Sequence, residues 1–395
     1  MKKNGRFKIA MVAACPFPYP RGTPIRICRM AEALALKGHE VHVVTYHLGD
    51  EVKEAPFKIH RIPDVKTYRK YSPGPTYQKL LVLDSLLAIK LYKFVKTHEV
   101  DLIHAHNYEG LIVSHCVRRW TRDPLIYDAH TLLESELPLY RLGLPKWIKK
   151  GIAQHLDRWL PKWADHIITV TDEIREKLIR DASVPPEDIT VVTNGVECEH
   201  FNVMPEDRKT LKKAGKTLVF TGNLAPYQGI DLLIRAFREV LNRRQDVRLL
   251  IISDSSFAPY EPLANTLEIR GHIDIVRSDF DNLPKHLAGA DVALNPRTDC
   301  DGIPQKLLNY MAAGKPIVSF EGSAKNLEHG RTGWVVENGN IPDFARAILY
   351  LLENSQLAQK LGANAKNHVI SDYSWEKTAE KIEAVYKHIL NGKSK

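Results

Sequence analysis

DCDGIPQKLLNYMAAGKPIVSF, residues 299–320, is led into by DVALNPR, residues 291–297, an apolar run that predicts a buried strand. Pro304 stands where a first helical turn would begin, a position that loses nothing by lacking an N–H. Leu307, Leu308 and Met311 recur at three- and four-residue spacing and predict a helix over 305–313. Gly314 stops that helix as a C-cap, and 316–320 predicts a second buried strand. A strand, a loop of free backbone N–H groups at 301–304 and a helix N-terminus thus follow one another. Open α/β sheets bind phosphorylated ligands at such junctions. An ordinary βαβ crossover with a glycine cap would carry the same local pattern.

Working outward, the second half predicts strands at 217–221, 247–253 and 267–272 and helices at 230–243 and 283–287 around this stretch. Three helical stretches, 342–353, 356–369 and 375–390, end the chain. The first half alternates in the same way. Strands are predicted at 7–14, 40–46, 100–104, 125–128, 166–170 and 189–193, with helices at 25–37, 77–96, 109–120 and 172–181 between them. A Trp- and Lys-rich segment covers 145–163, and a polar linker covers 198–213. Each half reads as a doubly wound parallel sheet, so the fold class is α/β with two Rossmann-like domains in tandem. No GxGxxG follows either first strand, which removes the usual dinucleotide fingerprint.

The totals fit this reading. The chain has 395 residues, 44% hydrophobic and 26% charged, which suits two soluble globular domains rather than disorder. Its formal charge of +9 favours anionic partners. No zinc-finger, helix-turn-helix or aromatic RNA-binding signature points to nucleic acid. The five cysteines are odd in number and form no CxxC, as in a reduced cytoplasmic protein. Cys300 has no neighbouring histidine to make it a nucleophile. MKKNGRFKIAMVAAC resembles an export signal, but its short apolar part runs into Pro16, Pro18 and Pro20 and is better read as the first strand.

Several segments, in order, resemble the retaining glycosyltransferases of family four, nucleotide-sugar-dependent enzymes of the GT-B fold. Their donor site places a glutamate, seven residues and a second glutamate before a small-residue run and Gly-Lys-Pro-Val-Val. Here Asp301 stands at the first acid and Asn309 at the second, and YMAAGKPIV matches closely. PYPRGTPIRICRMAEALALKGHEVHVVTY is similar to the family's opening unit, with Gly22 and Thr23 where two glycines are usual. Such a loop can offer N–H groups to a diphosphate, or be no more than a proline-fixed turn. VDLIHAHN and LIYDAH resemble its paired histidine-bearing strand ends; His130 aligns with the histidine beside the transferred sugar. ADHIITVTDEIREKL and ITVVTNGVECEHF are similar to the end of its first domain.

LVFTGNLAPYQGIDLLIRAF resembles the second domain's phosphate loop, but departs from it. The family has an arginine and a lysine there to hold the leaving diphosphate; this chain has Asn223 and Gln228. Neutral amides can bond a phosphate but cannot neutralise it, and charge-assisted bonds are roughly twice as strong. Arg297 and Lys306 are the nearest cations that could compensate, or they could pair with Asp299 or Asp301.

The resemblance implies a GT-B molecule with an interdomain cleft: residues 1–200 on the acceptor side, 201–374 binding the donor, and 375–395 crossing back to the first domain. It implies His130, Asp301, Lys306 and Arg297 as catalytic residues. The implied donor set is Gly22, Thr23, Gly222, Asn223, Gln228, Ile273, Gly302, Ile303, Pro304, Leu308 and Asn309, with Arg21, Arg26 and His106 on the acceptor side. Family members generally need no metal, no cofactor is expected, and no Asp-x-Asp is present. The expected partners are a nucleoside-diphosphate sugar and a glycan, lipid-linked or small-molecule acceptor. The neutral Asn223, Gln228 and Asn309 also fit a nucleotide-sugar-binding subunit with little catalysis, and an epimerase or hydrolase would share the fold. Finally, 79–96 and 146–163 interleave Lys and Arg with Trp, Tyr and Leu. They are read either as helices packed on the sheet with solvated lysines or as anionic-membrane contacts of a cytoplasmic, peripheral protein.

Overall fold

The structure is a computed structural model describing residues 5–19, 22–50, 52, 54–71, 74–140, 143–203, 215–300 and 302–392. It divides into two units, one of Met1–Asn194 with Trp375–Lys395 and one of Gly195–Ser374.

Unit 1 is built on a parallel sheet of β1 (Lys8–Ala13), β2 (Glu40–Thr45), β3 (Lys58–Arg61), β4 (Leu102–His106), β5 (Leu125–Ala129), β6 (His166–Thr169) and β7 (Ile189–Val191), in the order β3-β2-β1-β4-β5-β6-β7. Strands covered on both faces read as continuous apolar runs, and β1, KIAMVA, is buried from its second residue onward. Side chains alternate across the sheet. Ala10 and Val12 therefore meet α2 (Asp84–His98) and α3 (Asn107–Thr121) on one face. Ile9 and Met11 meet α1 (Gly22–Leu36) on the other, together with the last helix, Trp375–Gly392. That last helix buries Ala379, Ile382 and Tyr386 beside Ile27, Met30 and Leu34. α4 (Leu133–Glu136), α5 (Lys146–Trp159) and α6 (Asp172–Ala182) complete the unit.

The strand expected at 100–104 lies two residues later. Glu99 turns left-handed after α2, and the Asp101 carboxylate accepts the Lys8 N–H at 2.7 Å, so pairing starts at Leu102 against Ile9. Strand β3, KIHR, has no apolar pattern and was not anticipated.

Unit 2 carries β8 (Lys216–Thr221), β9 (Val247–Ile252), β10 (Ile273–Val276), β11 (Val292–Asn295), β12 (Ile317–Phe320) and β13 (Trp334–Val336), in the parallel order β10-β9-β8-β11-β12-β13. α7 (Ile230–Arg243) follows β8, and α8 (Glu261–Thr266) and α9 (Leu283–Gly289) lie between the next strands. α10 (Gln305–Ala312) follows β11, and α11 (Ile341–Glu353) and α12 (Ser355–Asp372) follow β13; α13 is the last helix, Trp375–Gly392. The strand expected at 267–272 does not form. Glu268 is left-handed and Arg270–His272 make a short 3-10 turn, so the strand begins at Ile273.

Candidate active site

In unit 2 the site lies where β8 and β11 end. After Thr221 the chain turns through Gly222, at φ +125°, and a short 3-10 turn, Pro226–Gln228, before α7. Gly229 is required there: its φ is +70°, and a Cβ would lie 2.2 Å from the Pro296 carbonyl. The loop of Gly222 is thereby pressed onto the end of β11. From α10, Tyr310 reaches back, and its hydroxyl accepts the Thr221 N–H at 2.7 Å.

Lys306, in the first turn of α10, points into this junction. Its Nζ donates to Gln228 Oε1 at 2.7 Å and lies 3.9 Å from the centroid of the Phe220 ring. A Cβ on Gly222 would stand 3.4 Å from that Nζ. Burial, then the neighbouring Arg297, holds the ammonium well below the usual lysine range. Among the described residues it has no ion-pair partner; Asp301 lies outside them. Arg297 covers the Tyr227 ring at 4.9 Å and donates through Nε to the Asp299 carbonyl. Asn223 is held by Tyr227 and by the Ala225 N–H, and its Oδ1 also receives Gln228 Nε2 at 3.5 Å. Asn309 is 7% exposed and its Oδ1 has no partner among the described residues, an unmet acceptor that a ligand hydroxyl could satisfy.

In unit 1 a buried polar cluster lies at the ends of β4 and β5. Arg26 forks onto Asp128, Nε to Oδ2 and Nη2 to Oδ1, both 3.2 Å, and also binds the Asn194 side chain and the Val192 carbonyl. Burial alone would raise the Asp128 carboxyl, but Arg26 and the surrounding histidines hold it well below the usual range. His106 Nδ1 is 3.5 Å from Asp128 Oδ2 and 3.2 Å from His130 Nε2, while His130 Nδ1 is 3.2 Å from Thr23 Oγ1. Burial lowers His130 and, with His104, lowers His106 to about 3. His104 Nδ1 meets the Tyr386 hydroxyl of α13 at 2.8 Å. His104, His106 and Asp128 lie close enough to surround a cation, but both Asp128 oxygens already carry the Arg26 guanidinium, so the set is disposed as an ion-pair network.

The structure brings Gly222, Gln228, Lys306 and Asn223 together, and His130 with Thr23 and His106. Four other candidates lie buried. Arg26 is 2% exposed and serves Asp128 rather than an acceptor, because α1 turns it inward. His106 is buried beneath His130 and presents no face to an acceptor. Ile273 begins β10 and packs in the core, since the strand starts there instead of ending before it. Leu308 is wholly buried on the inner face of α10. Gly22 opens α1, with nothing within 4 Å of where a Cβ would be. Gly302 and Ile303 are half-buried and Pro304 buried just ahead of α10. Arg21 and Asp301 lie outside the described residues. The sequence reading passed over Asp128, Phe220 and Tyr310; only Asp128 left a trace, a carboxylate two residues before His130, which directly follows β5.

Two family models match, Glycosyltransferase Family 4 over residues 20–200 and Glycosyl transferases group 1 over 215–354. The chain belongs to glycosyltransferase family 4, the GT-B family that uses nucleotide sugars. It is 26% identical over 405 residues to an uncharacterized glycosyltransferase of Methanocaldococcus jannaschii, covering 96% of this chain and 98% of the relative. A second uncharacterized glycosyltransferase of that organism is 23% identical over 236 residues, and there the match spans 58% of this chain and 60% of the relative. Among solved structures, Anabaena HepE in complex with UDP superposes with a TM-score of 0.77 at 18% identity, over 96% of this chain and all of that one.

Proposed function

We propose that this chain is a retaining, metal-independent hexosyltransferase that moves a sugar from a UDP-sugar, held by unit 2, to a glycan or lipid-linked acceptor held by unit 1. The observation that carries the reading is the buried Lys306 ammonium reaching Gln228 beside Gly222. The cation missing from the loop after β8 is supplied from α10 instead. A departing diphosphate gains charge as the glycosidic bond breaks, and fixed donors at that point are worth most where water is excluded. Lys306 and the Gly222 loop would take that charge, with Arg297 beside them and the N-terminus of α10 helping. Asn309 Oδ1 would receive a ribose hydroxyl, and the Asp301–Pro304 loop the sugar hydroxyls.

On the acceptor side, His130 would serve the transferred sugar, positioned by Thr23, His106 and Asp128. The acceptor oxygen bonds to the anomeric carbon on the face that the phosphate leaves, the carbon–oxygen bond to phosphate breaks, and the acceptor proton passes to that phosphate oxygen. The UDP of HepE supports uracil as the donor base. Work in the cytoplasm on polysaccharide or glycolipid synthesis follows from this reading. Among the described residues no helix is long and apolar enough to cross a membrane.

Calorimetric titration with UDP, GDP and ADP tests the donor half. UDP is expected to bind at micromolar to millimolar concentration and to lose most of that affinity in Lys306→Ala. No nucleotide binding at millimolar concentration would remove the reading. Tight UDP-sugar binding without transfer to any acceptor would make the chain a binding subunit instead.

A further inference from the structure

Two exposed segments of unit 1 are not used by the chemistry above. The first runs from Tyr77 into α2. Tyr77 is 81% exposed and Leu81 71%, and Leu80, Val82, Ile89 and Tyr92 are also exposed along the outer face. The inner face, Leu83, Leu87, Leu91 and Phe94, is fully spent on the core. A helix that buries one stripe of leucines needs no second one, and solvent alone does not account for it. The same outer face ends in Lys93 and Lys96.

The second segment is Leu144 with α5. Trp147 is 75% exposed and Trp159 57%, with Leu144 and Ile152 exposed as well. Only Lys149 and Ala153 of this helix are buried, and Lys149 is consumed by the Pro138 and Tyr140 carbonyls. Lys146, Lys150, Arg158 and Lys162 remain outside, and Lys162 Nζ lies 5.6 Å over the Trp159 ring. Of the acids there, Glu134 is neutralised by Lys150 and Lys177, and Asp157 of α5 accepts the Leu133 and Glu134 N–H groups.

The segments meet. Gly74, at φ +108°, lies so close to Tyr140 that a Cβ would stand 2.7 Å from its ring. Lys149 ties the other side of Tyr140 to α5. On the Gly74 side of Tyr140 opens a cavity of about 250 Å³, lined by Tyr19, Tyr46, Tyr68, Tyr71, Tyr140 and Glu109 among others. It also reaches Gly22 and Thr23, and Thr23 Oγ1 is the partner of His130. Aromatic faces and a carboxylate suit the CH and OH faces of a sugar ring.

We infer that unit 1 docks on an anionic lipid surface through Tyr77–Tyr92 and Leu144–Lys162, with the tyrosine-lined cavity opening toward a lipid-borne sugar acceptor. Protein interfaces are depleted of lysine at their cores. Along α5 lysines interleave with Trp, Leu and Ile, and Lys93 and Lys96 close the exposed apolar face of α2, the composition that lies in a headgroup layer with aromatic rings at the boundary and ammonium groups on the phosphates. The lipid nature of the acceptor rests on the transferase reading; the docking does not.

The test is co-sedimentation of the full chain with vesicles of phosphatidylcholine alone and of phosphatidylcholine with phosphatidylglycerol. Binding to the anionic vesicles should be at least tenfold stronger at low salt and fade as salt rises. The pair Leu81→Ser with Trp147→Ser should lower it tenfold or more, and Lys146→Gln with Lys150→Gln should flatten its salt dependence. UDP affinity, a property of unit 2, should stay unchanged in all of them, and so reports separately on the transferase reading. Equal binding to both vesicle types, or anionic binding that survives the Leu81/Trp147 change, would overturn the inference. So would sedimentation as a dimer that the same pair of changes dissociates.

Discussion

Lys306 is a cation kept where a cation is costly. It is 8% exposed, and among the described residues only an amide oxygen and a ring face attend it. Its folded pKa lies well below the unfolded value, so between those two values the unfolded chain holds the proton more tightly. This group therefore withdraws stability as pH falls below its unfolded pKa, down to its folded one. Lys306→Met should raise the melting temperature of unit 2 and at the same time cut transfer by roughly a hundredfold or more. UDP affinity of the unaltered protein should weaken as pH rises through the lysine's folded pKa, a dependence that Lys306→Met abolishes. A variant that is destabilised but still active would make Lys306 structural. Sequence marked Lys306 as a candidate by its place in the first turn after Pro304, yet it read Gln228 as a deficit. The two are one feature, made by a contact across 78 residues that no local pattern records.

At the scale of elements, α1 and β5 are pinned together by Arg26 and Asp128. Removing one partner of a buried pair leaves an uncompensated charge, which costs about 3–5 kcal/mol. Arg26→Met should destabilise unit 1 by about that much in urea unfolding. Asp128→Asn should cost a comparable amount, and the double variant less than the sum of the two. A loss under about 1 kcal/mol in Arg26→Met would contradict the pairing. These charges also show which elements were legible. Strands such as β1 and β4 are apolar and central, so their composition declares them. KIHR and WVV are short edge strands whose pairing supplies what their sequence does not, and both were missed. LEIRGH alternates like a strand, but Glu268 adopts a left-handed turn and pushes pairing on to IDIV. Arg26 was assigned to the acceptor side because local sequence cannot reveal a buried acid on a strand 102 residues away.

At the scale of the whole molecule, the two units differ in how they carry histidine. Unit 1 buries His39, His42, His104, His106, His130 and His166, whereas the five histidines of unit 2 are half-buried or exposed. Burial lowers His39, His42, His115, His130 and His166, lowers His60 to about 4 and lowers His106 to about 3. A histidine with a lowered folded pKa binds its proton more readily once unfolded. Stability is therefore intact above about 6.5 and is lost as pH falls from there through each folded value. Asp128, held well below the usual carboxyl range, adds a loss at still lower pH. Three carboxyls oppose this: Asp84, raised by burial to about 6, and Glu136 and Asp157, raised in the same way, gain stability on acidification. Seven histidines outweigh them, so unit 1 should be the acid-labile half. Scanning calorimetry at pH 7.5, 6 and 5 should resolve a transition that moves down as pH falls, while a second stays nearly in place. Tryptophan emission should follow the moving one, because Trp120, Trp147, Trp159, Trp163 and Trp375 belong to unit 1 and only Trp334 to unit 2. UDP should raise the stationary transition alone, since a ligand stabilises the unit that binds it. Both transitions falling together with pH, or UDP raising the acid-labile one alone, would refute this division of labour.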